Sequence, residues 1–163
     1  MRSEHRKGRV LVIGLGNRLR GDDGFGPEFL SRLERKPPEG VELISYEGDP
    51  VGLIDIWSDA QLVVLIDATR STEVPGTVRR FDVHRDPLPA GPFATSSHLV
   101  GLATVIELAR TLDKLAPTFI VLGVEGECFE LGRGLSPELE GALVRLEVSV
   151  REIVGIHLKE AGA

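Results

Sequence analysis

Three short apolar runs impose the strongest constraint on the fold of this chain. They read RVLVIGLG over residues 9–16, LVVLI over residues 62–66 and FIVLGV over residues 119–124. The runs are rich in β-branched residues and do not alternate with polar ones, which is typical of strands buried on both faces of a parallel sheet. Segments with helical spacing separate them, so the sequence predicts an α/β protein.

The other elements can be placed around these runs from capping residues, prolines and hydrophobic spacing. Helices are predicted over residues 25–36 and 50–58, from Ser96 or Ser97 to Leu112, and from Pro137 behind a Ser136 cap; strands are predicted over 41–46 and 77–83, the latter at a sheet edge. The order βαβαβ-β-αβα predicts a three-layer α/β/α sandwich with a twisted, mostly parallel five-stranded sheet.

Length and composition exclude several classes of protein. The 163 residues suit a single domain, 1–163, in which residues 1–8 are expected to be a frayed tail. A net charge of −6 disfavours a nucleic-acid partner, and no apolar run approaches the ~20 residues of a membrane helix. The one cysteine, Cys128, has no internal disulfide partner, and the first residues do not resemble a signal peptide, so we expect a cytoplasmic protein.

The loop between the first strand and the first helix, residues 14–26, is the most informative segment. Its glycines suggest a dinucleotide site, but Leu19 stands where the fingerprint G-x-G-x-x-G requires the third glycine. The adjacent acids Asp22 and Asp23 would also repel a phosphate. Two interpretations of these acids remain, as caps of the following helix or as ligands of a cation.

Two further residues are expected near this loop. Asp67 ends the buried run LVVLI, and His98 lies in the first turn of a predicted helix, where the helix dipole favours a neutral ring. Each alone is also compatible with a turn residue or a surface histidine. Together, Asp23, Asp67 and His98 offer two carboxylates and one imidazole, a set suited to Zn, Ni, Fe or Mn.

With these residues in view, the sequence resembles the NiFe-hydrogenase maturation endopeptidases. The resemblance spans nearly the whole chain and rests on VLVIGLGNRLRGDDGFGPEFL, on Asp67 after LVVLI, on SSHLVGLATVIELA around His98, and on FIVLGVEGE followed by GLSPELE. The first of these motifs is the most specific.

The resemblance implies a peptidase, aspartic-type or metal-assisted, that removes the C-terminal extension of a nickel-loaded hydrogenase large-subunit precursor. It implies that Asp23, Asp67 and His98 are both the catalytic and the metal-contacting residues. It also implies that no cofactor is permanently bound: nickel arrives with the substrate, and another divalent ion can occupy the site in vitro. Neither nucleic acid nor a membrane is expected as a partner.

The chain departs from the family pattern after the second strand. It reads Glu47-Gly48-Asp49-Pro50 where the family tends to have acid-Gly-Gly-Thr, which leaves the roles of Glu47 and Asp49 open. Two alternatives are kept beside the peptidase: a non-catalytic, nickel-sensing maturation chaperone, and a dinucleotide-dependent oxidoreductase with Glu47 as the ribose-binding acid.

Overall fold

A five-stranded sheet between two helical layers forms the framework of the protein. The computed structural model describes residues 8–89, 91 and 101–162 of the chain. The strands are β1 (Arg9–Leu15), β2 (Glu42–Tyr46), β3 (Ala60–Thr69), β4 (Val78–Asp82) and β5 (Thr118–Glu125). The α-helices are α1 (Phe25–Leu33), α2 (Leu53–Trp57), α3 (Leu102–Thr111) and α4 (Pro137–Gly162), and short 3₁₀ turns cover Gly21–Gly24 and Pro50–Gly52.

The sheet has the strand order β2-β1-β3-β5-β4. All neighbours run parallel except β4, which pairs antiparallel with β5 at the edge of the sheet. The chain leaves β1 toward β2 and then returns to place β3 on the other side of β1, so the topology reverses between β1 and β3. In open α/β sheets, ligands bind at the carboxyl ends of the strands at such a point.

Both faces of the central strands are buried, as the apolar runs predict. Val12, which faces α1 and α4, and its neighbour Ile13, which faces α2 and α3, are both completely buried. Successive residues of a strand point to opposite faces, so a continuous apolar run supplies both cores. The predicted α/β class and three-layer architecture are therefore confirmed.

The structure corrects the prediction that Asp67 follows the third strand. β3 continues to Thr69, because Asp67, Ala68 and Thr69 pair with residues 123–125 of β5. The last β1–β3 pair is Gly14–Ile66, so Asp67 lies one residue beyond the end of this pairing. Asp67 therefore lies at the carboxyl end of the parallel strands, as expected, but it is part of β3 and not of a loop after it.

The helices also differ from the predictions in detail. α1 ends at Leu33 and residues 34–36 form a turn, whereas the prediction extended the helix to Lys36. Ser96 and Ser97, the predicted caps of α3, lie outside the described residues, as does His98. Across the described ranges, no helix is both long and apolar enough to cross a membrane.

A glycine substitution tests how closely α1 packs on β1. A Cβ atom on Gly26, near the start of α1, would overlap the backbone of Leu15, so the helix and the strand would have to move apart. We expect Gly26→Ala to lower the free energy of unfolding by about 3 kcal/mol, the upper end for overpacking a well-packed core. Denaturant unfolding followed by circular dichroism measures it.

The matched control lies in another helix. Gly155, in the C-terminal half of α4, has no atom beyond the backbone of its own helix and its two chain neighbours within 4 Å of the position of an added Cβ, among the described residues. Gly155→Ala should raise the free energy of unfolding by about 0.5–1 kcal/mol through helix propensity. Equal stability of the two variants would contradict the close packing of α1 on β1.

Candidate active site

The glycines after β1 allow two backbone segments to approach each other. A side chain on Gly14 would overlap the carbonyl oxygen of Gly26, and one on Gly16 would overlap the carbonyl oxygen of Asp23. Gly16 also has φ +132°, a conformation that other residues rarely adopt. The glycines thus bring the turn that carries Asp23 onto the end of β1.

Asp23 and Asp67 form a buried carboxylate pair at the switch point of the sheet. Both side chains are almost inaccessible to solvent, and Asp23 accepts a hydrogen bond from the backbone N–H of Asn17 at 3.0 Å. Burial raises the pKa of Asp67 well above its usual range, the negative charge of Asp23 raises it further, and the N–H of Ala68 opposes the change. Such a pair can retain a proton or neutralise a cation.

The third member of the predicted set cannot be placed. His98 lies outside the described residues, so its grouping with Asp23 and Asp67 stays a prediction. Within residues 8–89, 91 and 101–162, no three His, Cys, Asp or Glu side chains are arranged to hold a metal ion. The described part of the site thus offers two carboxylates.

Asp22 has a different role from its neighbour Asp23. Its carboxylate is fully buried and accepts hydrogen bonds from the N–H groups of Glu127 (2.7 Å), Cys128 (2.9 Å) and Ser136 (2.7 Å) and from the Ser136 hydroxyl (2.7 Å). No side chain caps α1, so the capping interpretation does not hold for either acid. Asp22 instead ties the loop after β1 to the loop after β5.

Sequence reasoning missed a fourth buried acid, Glu125. Its carboxylate accepts hydrogen bonds from the Thr69 hydroxyl (2.7 Å) and from the N–H (2.6 Å) and hydroxyl (3.0 Å) of Ser71. The signal for it was present, because Glu125 follows the apolar run FIVLGV just as Asp67 follows LVVLI. Glu125 joins the carboxyl ends of β3 and β5.

The two acids left open by the sequence lie after β2. Asp49 accepts a hydrogen bond from the N–H of Val51 at 2.9 Å and so begins the 3₁₀ turn over Pro50–Gly52. Glu47 is exposed at the carboxyl end of β2. Asp49 therefore has a local structural function, and Glu47 is available to a ligand.

Comparison with known proteins gives one consistent family. Residues 27–153 match the family model described as hydrogenase maturation protease. A Methanocaldococcus jannaschii protein provisionally named as such a protease is 32% identical over 158 residues, covering 91% of this chain and 98% of its own length. The hydrogenase 2 maturation protease of Escherichia coli is 27% identical over 159 residues, covering 94% and 93%.

Solved structures agree with this result. The hydrogenase maturating endopeptidase HybD from Escherichia coli superposes with a TM-score of 0.71 at 25% identity, covering 88% of this chain and 93% of that one. The hydrogenase maturation protease HycI from Thermococcus kodakarensis has a TM-score of 0.70 at 23% identity, covering 91% and 93%, and shares the fold.

Replacing Asp22 tests the link between the two loops. In Asp22→Asn, a carboxamide NH₂ replaces one accepting oxygen and faces a backbone N–H or the Ser136 hydroxyl, so at least one buried donor loses its partner. We expect a loss of about 3 kcal/mol in the free energy of unfolding, whereas Ser136→Ala, which removes a single hydroxyl donor, should cost about 1 kcal/mol. Denaturant titrations measure both; an Asp22→Asn protein as stable as Ser136→Ala would refute the link.

The raised pKa of Asp67 predicts a pH-dependent stability. Below the ordinary carboxyl pKa of about 4, the folded and unfolded states are both protonated at this position. As the pH rises, the unfolded state loses the proton first, so the Asp67 contribution to stability declines until the folded-state pKa is passed. Asp67→Asn lacks this term and should become increasingly more stable than the wild type from about pH 4 upward. Unfolding curves of both proteins across this range test it; a pH-independent difference would contradict it.

Proposed function

This chain belongs to the hydrogenase maturation protease family, and from the carboxylate pair at its switch point we propose that it removes the C-terminal extension of a nickel-loaded NiFe-hydrogenase large-subunit precursor. Family membership makes the chain a peptidase. The observation that supports the finer proposal is the burial of Asp23 and Asp67 at the carboxyl ends of β1 and β3, close enough for the charge of Asp23 to raise the pKa of Asp67.

The electrostatics of the pair favour a cation that arrives with the substrate. Two buried carboxylates repel each other, and this repulsion together with burial raises the pKa of Asp67. A divalent ion would remove this penalty, and carboxylate oxygens are suitable ligands for nickel. The nickel of the precursor is therefore proposed as a recognition element of the substrate, contacted by Asp23, Asp67 and His98.

Peptide hydrolysis requires a base and an acid, which a carboxylate can supply in turn. One carboxylate accepts a proton from water as the water oxygen forms a bond to the scissile carbonyl carbon. The C–N bond then breaks, and the proton passes to the departing amine. Asp23 and Asp67 are the candidates for this role, and burial strengthens their interaction with the developing charges.

Mass spectrometry of a nickel-loaded precursor after incubation with the purified protein tests the proposal. The wild type should yield a shortened large subunit and a free C-terminal peptide, while the nickel-free precursor stays intact. Asp23→Asn, Asp67→Asn and His98→Ala should remain folded and lose at least ~100-fold in processing rate, the usual loss for a missing acid–base group. Asp55→Asn is the control, because Asp55 is an exposed residue of α2 whose weak ion pair with Lys114 is solvated.

The outcomes separate the alternatives. Full processing by all three variants would refute the assigned residues. A precursor that binds the wild type but keeps its mass would indicate a nickel-sensing chaperone. Binding of a reduced dinucleotide, measured by fluorescence titration, would indicate the oxidoreductase.

A further inference from the structure

Arg70 is held in place on both sides by buried groups. It directly follows the last residue of β3, three positions after Asp67, at the same edge of the sheet. Glu125 accepts hydrogen bonds from Thr69 on one side of Arg70 and from Ser71 on the other. The carbonyl of Thr69 also accepts a hydrogen bond from the N–H of Gly126 at 2.9 Å. An exposed loop residue rarely has both neighbours fixed in this way.

The side chain of Arg70 is oriented as well. The guanidinium carbon lies 5.5 Å from the centre of the Phe129 ring, in a cation–π contact. Phe129 is buried, and the N–H of its neighbour Cys128 donates to Asp22. The Arg70 guanidinium therefore rests on the loop that Asp22 fixes, beside the turn that carries Asp23.

The charge of Arg70 is not neutralised by this structure. Several surface arginines pair with carboxylates, as Arg18 does with Glu28 and Arg151 with Glu147, whereas in the described ranges Arg79, like Arg70, contacts an aromatic ring instead. In the described ranges, Arg70 has its ring contact and no carboxylate within ion-pair distance. A cation–π contact uses the face of the guanidinium and leaves its edge N–H groups free to donate.

From this arrangement we infer that Arg70 binds a carboxylate of the segment that the protease removes. The inference rests on the proposed function and adds a determinant of substrate choice. The planar donors of a guanidinium match a carboxylate, and a fixed guanidinium loses little entropy on binding it. A cationic contact is also needed on electrostatic grounds, because a chain of net charge −6 with an acidic site repels a carboxylate that has no positive partner.

The carboxylate can come from two sources in the same segment, an Asp or Glu side chain or the free C-terminus. Three nickel-loaded precursors separate these sources: the native one, one with the acids of the extension changed to amides, and one ligated to an amidated C-terminus. One altered precursor should raise the KM of the wild-type enzyme to the value that Arg70→Gln shows with the native precursor. The carboxylate that this precursor lacks is the one that Arg70 binds.

Kinetics of Arg70→Gln on these precursors test the contact. We expect KM for the native precursor to rise at least tenfold with kcat changed less than about threefold, as for loss of a charged hydrogen bond made equally in ground and transition states. Arg70→Lys should recover part of the loss. Arg85→Gln is the matched control, because Arg85 is an exposed arginine in the turn after β4, at the opposite edge of the sheet.

A double-mutant comparison decides the result. The KM of Arg70→Gln should not change when the precursor loses the carboxylate whose removal raises the KM of the wild type. Both changes remove the same interaction, so their effects should not add. Equal KM for wild type and Arg70→Gln, or strictly additive losses for both precursor changes, would overturn the inference. Dissociation constants for the same proteins and precursors give a readout that does not depend on cleavage. If Arg70→Gln binds the native precursor as tightly as the wild type does, the Arg70 contact is overturned. If Arg70→Gln binds more weakly but the wild type does not cleave the precursor, the proposed function alone is rejected.

Discussion

The hydrogen bonds of the Asp22 carboxylate are the interaction on which the rest of the site depends. A loop after β1 and a loop after β5 come from opposite halves of the chain, and Asp22 receives N–H and O–H donors from the second at a point where neither loop has a strand to pair with. A buried carboxylate is tolerated when it accepts hydrogen bonds, and this one accepts four. Together with the backbone hydrogen bonds from the N–H of Asp22 to the carbonyl of Cys128 and from the N–H of Gly21 to the carbonyl of Arg133, this group positions Asp23, Phe129 and the start of α4.

Adjacent residues of identical chemistry thus have opposite environments. Asp22 receives several donors, which stabilise its negative charge, whereas Asp23 receives one from Asn17 and lies near a second carboxylate. The hydrogen bonds of Asp22 join two loops, whereas the charge of Asp23 disfavours a negative charge on Asp67. A buried carboxylate pair in which the pKa of one member is raised well above its usual range is a common mark of a functional site.

Much of this fold could be predicted from the sequence, because apolar runs, proline stops and helical spacing report on local structure. The layer arrangement, the edge position of β4 and the start of α4 at Pro137 followed from such signals, whereas the antiparallel direction of β4 is seen only in the structure. The length of β3 did not, since pairing of Asp67 with Gly123 depends on a partner strand far along the chain. For the same reason the pattern could not show that Asp22 joins two distant loops, or that Glu125 fixes the residues around Arg70. The part of His98 in the site remains a prediction.

The position of Asp67 inside β3 has a consequence for how the site moves. Residues in loops exchange their backbone hydrogens through small openings, but a residue paired in the middle of a sheet is exposed only when a large part of the molecule opens. One carboxylate of the proposed site therefore lies on a strand paired with β5, and Asp23 lies in a short 3₁₀ turn held by loop contacts. The loops would therefore move to fit different precursors, while the sheet keeps Asp67 in a fixed position.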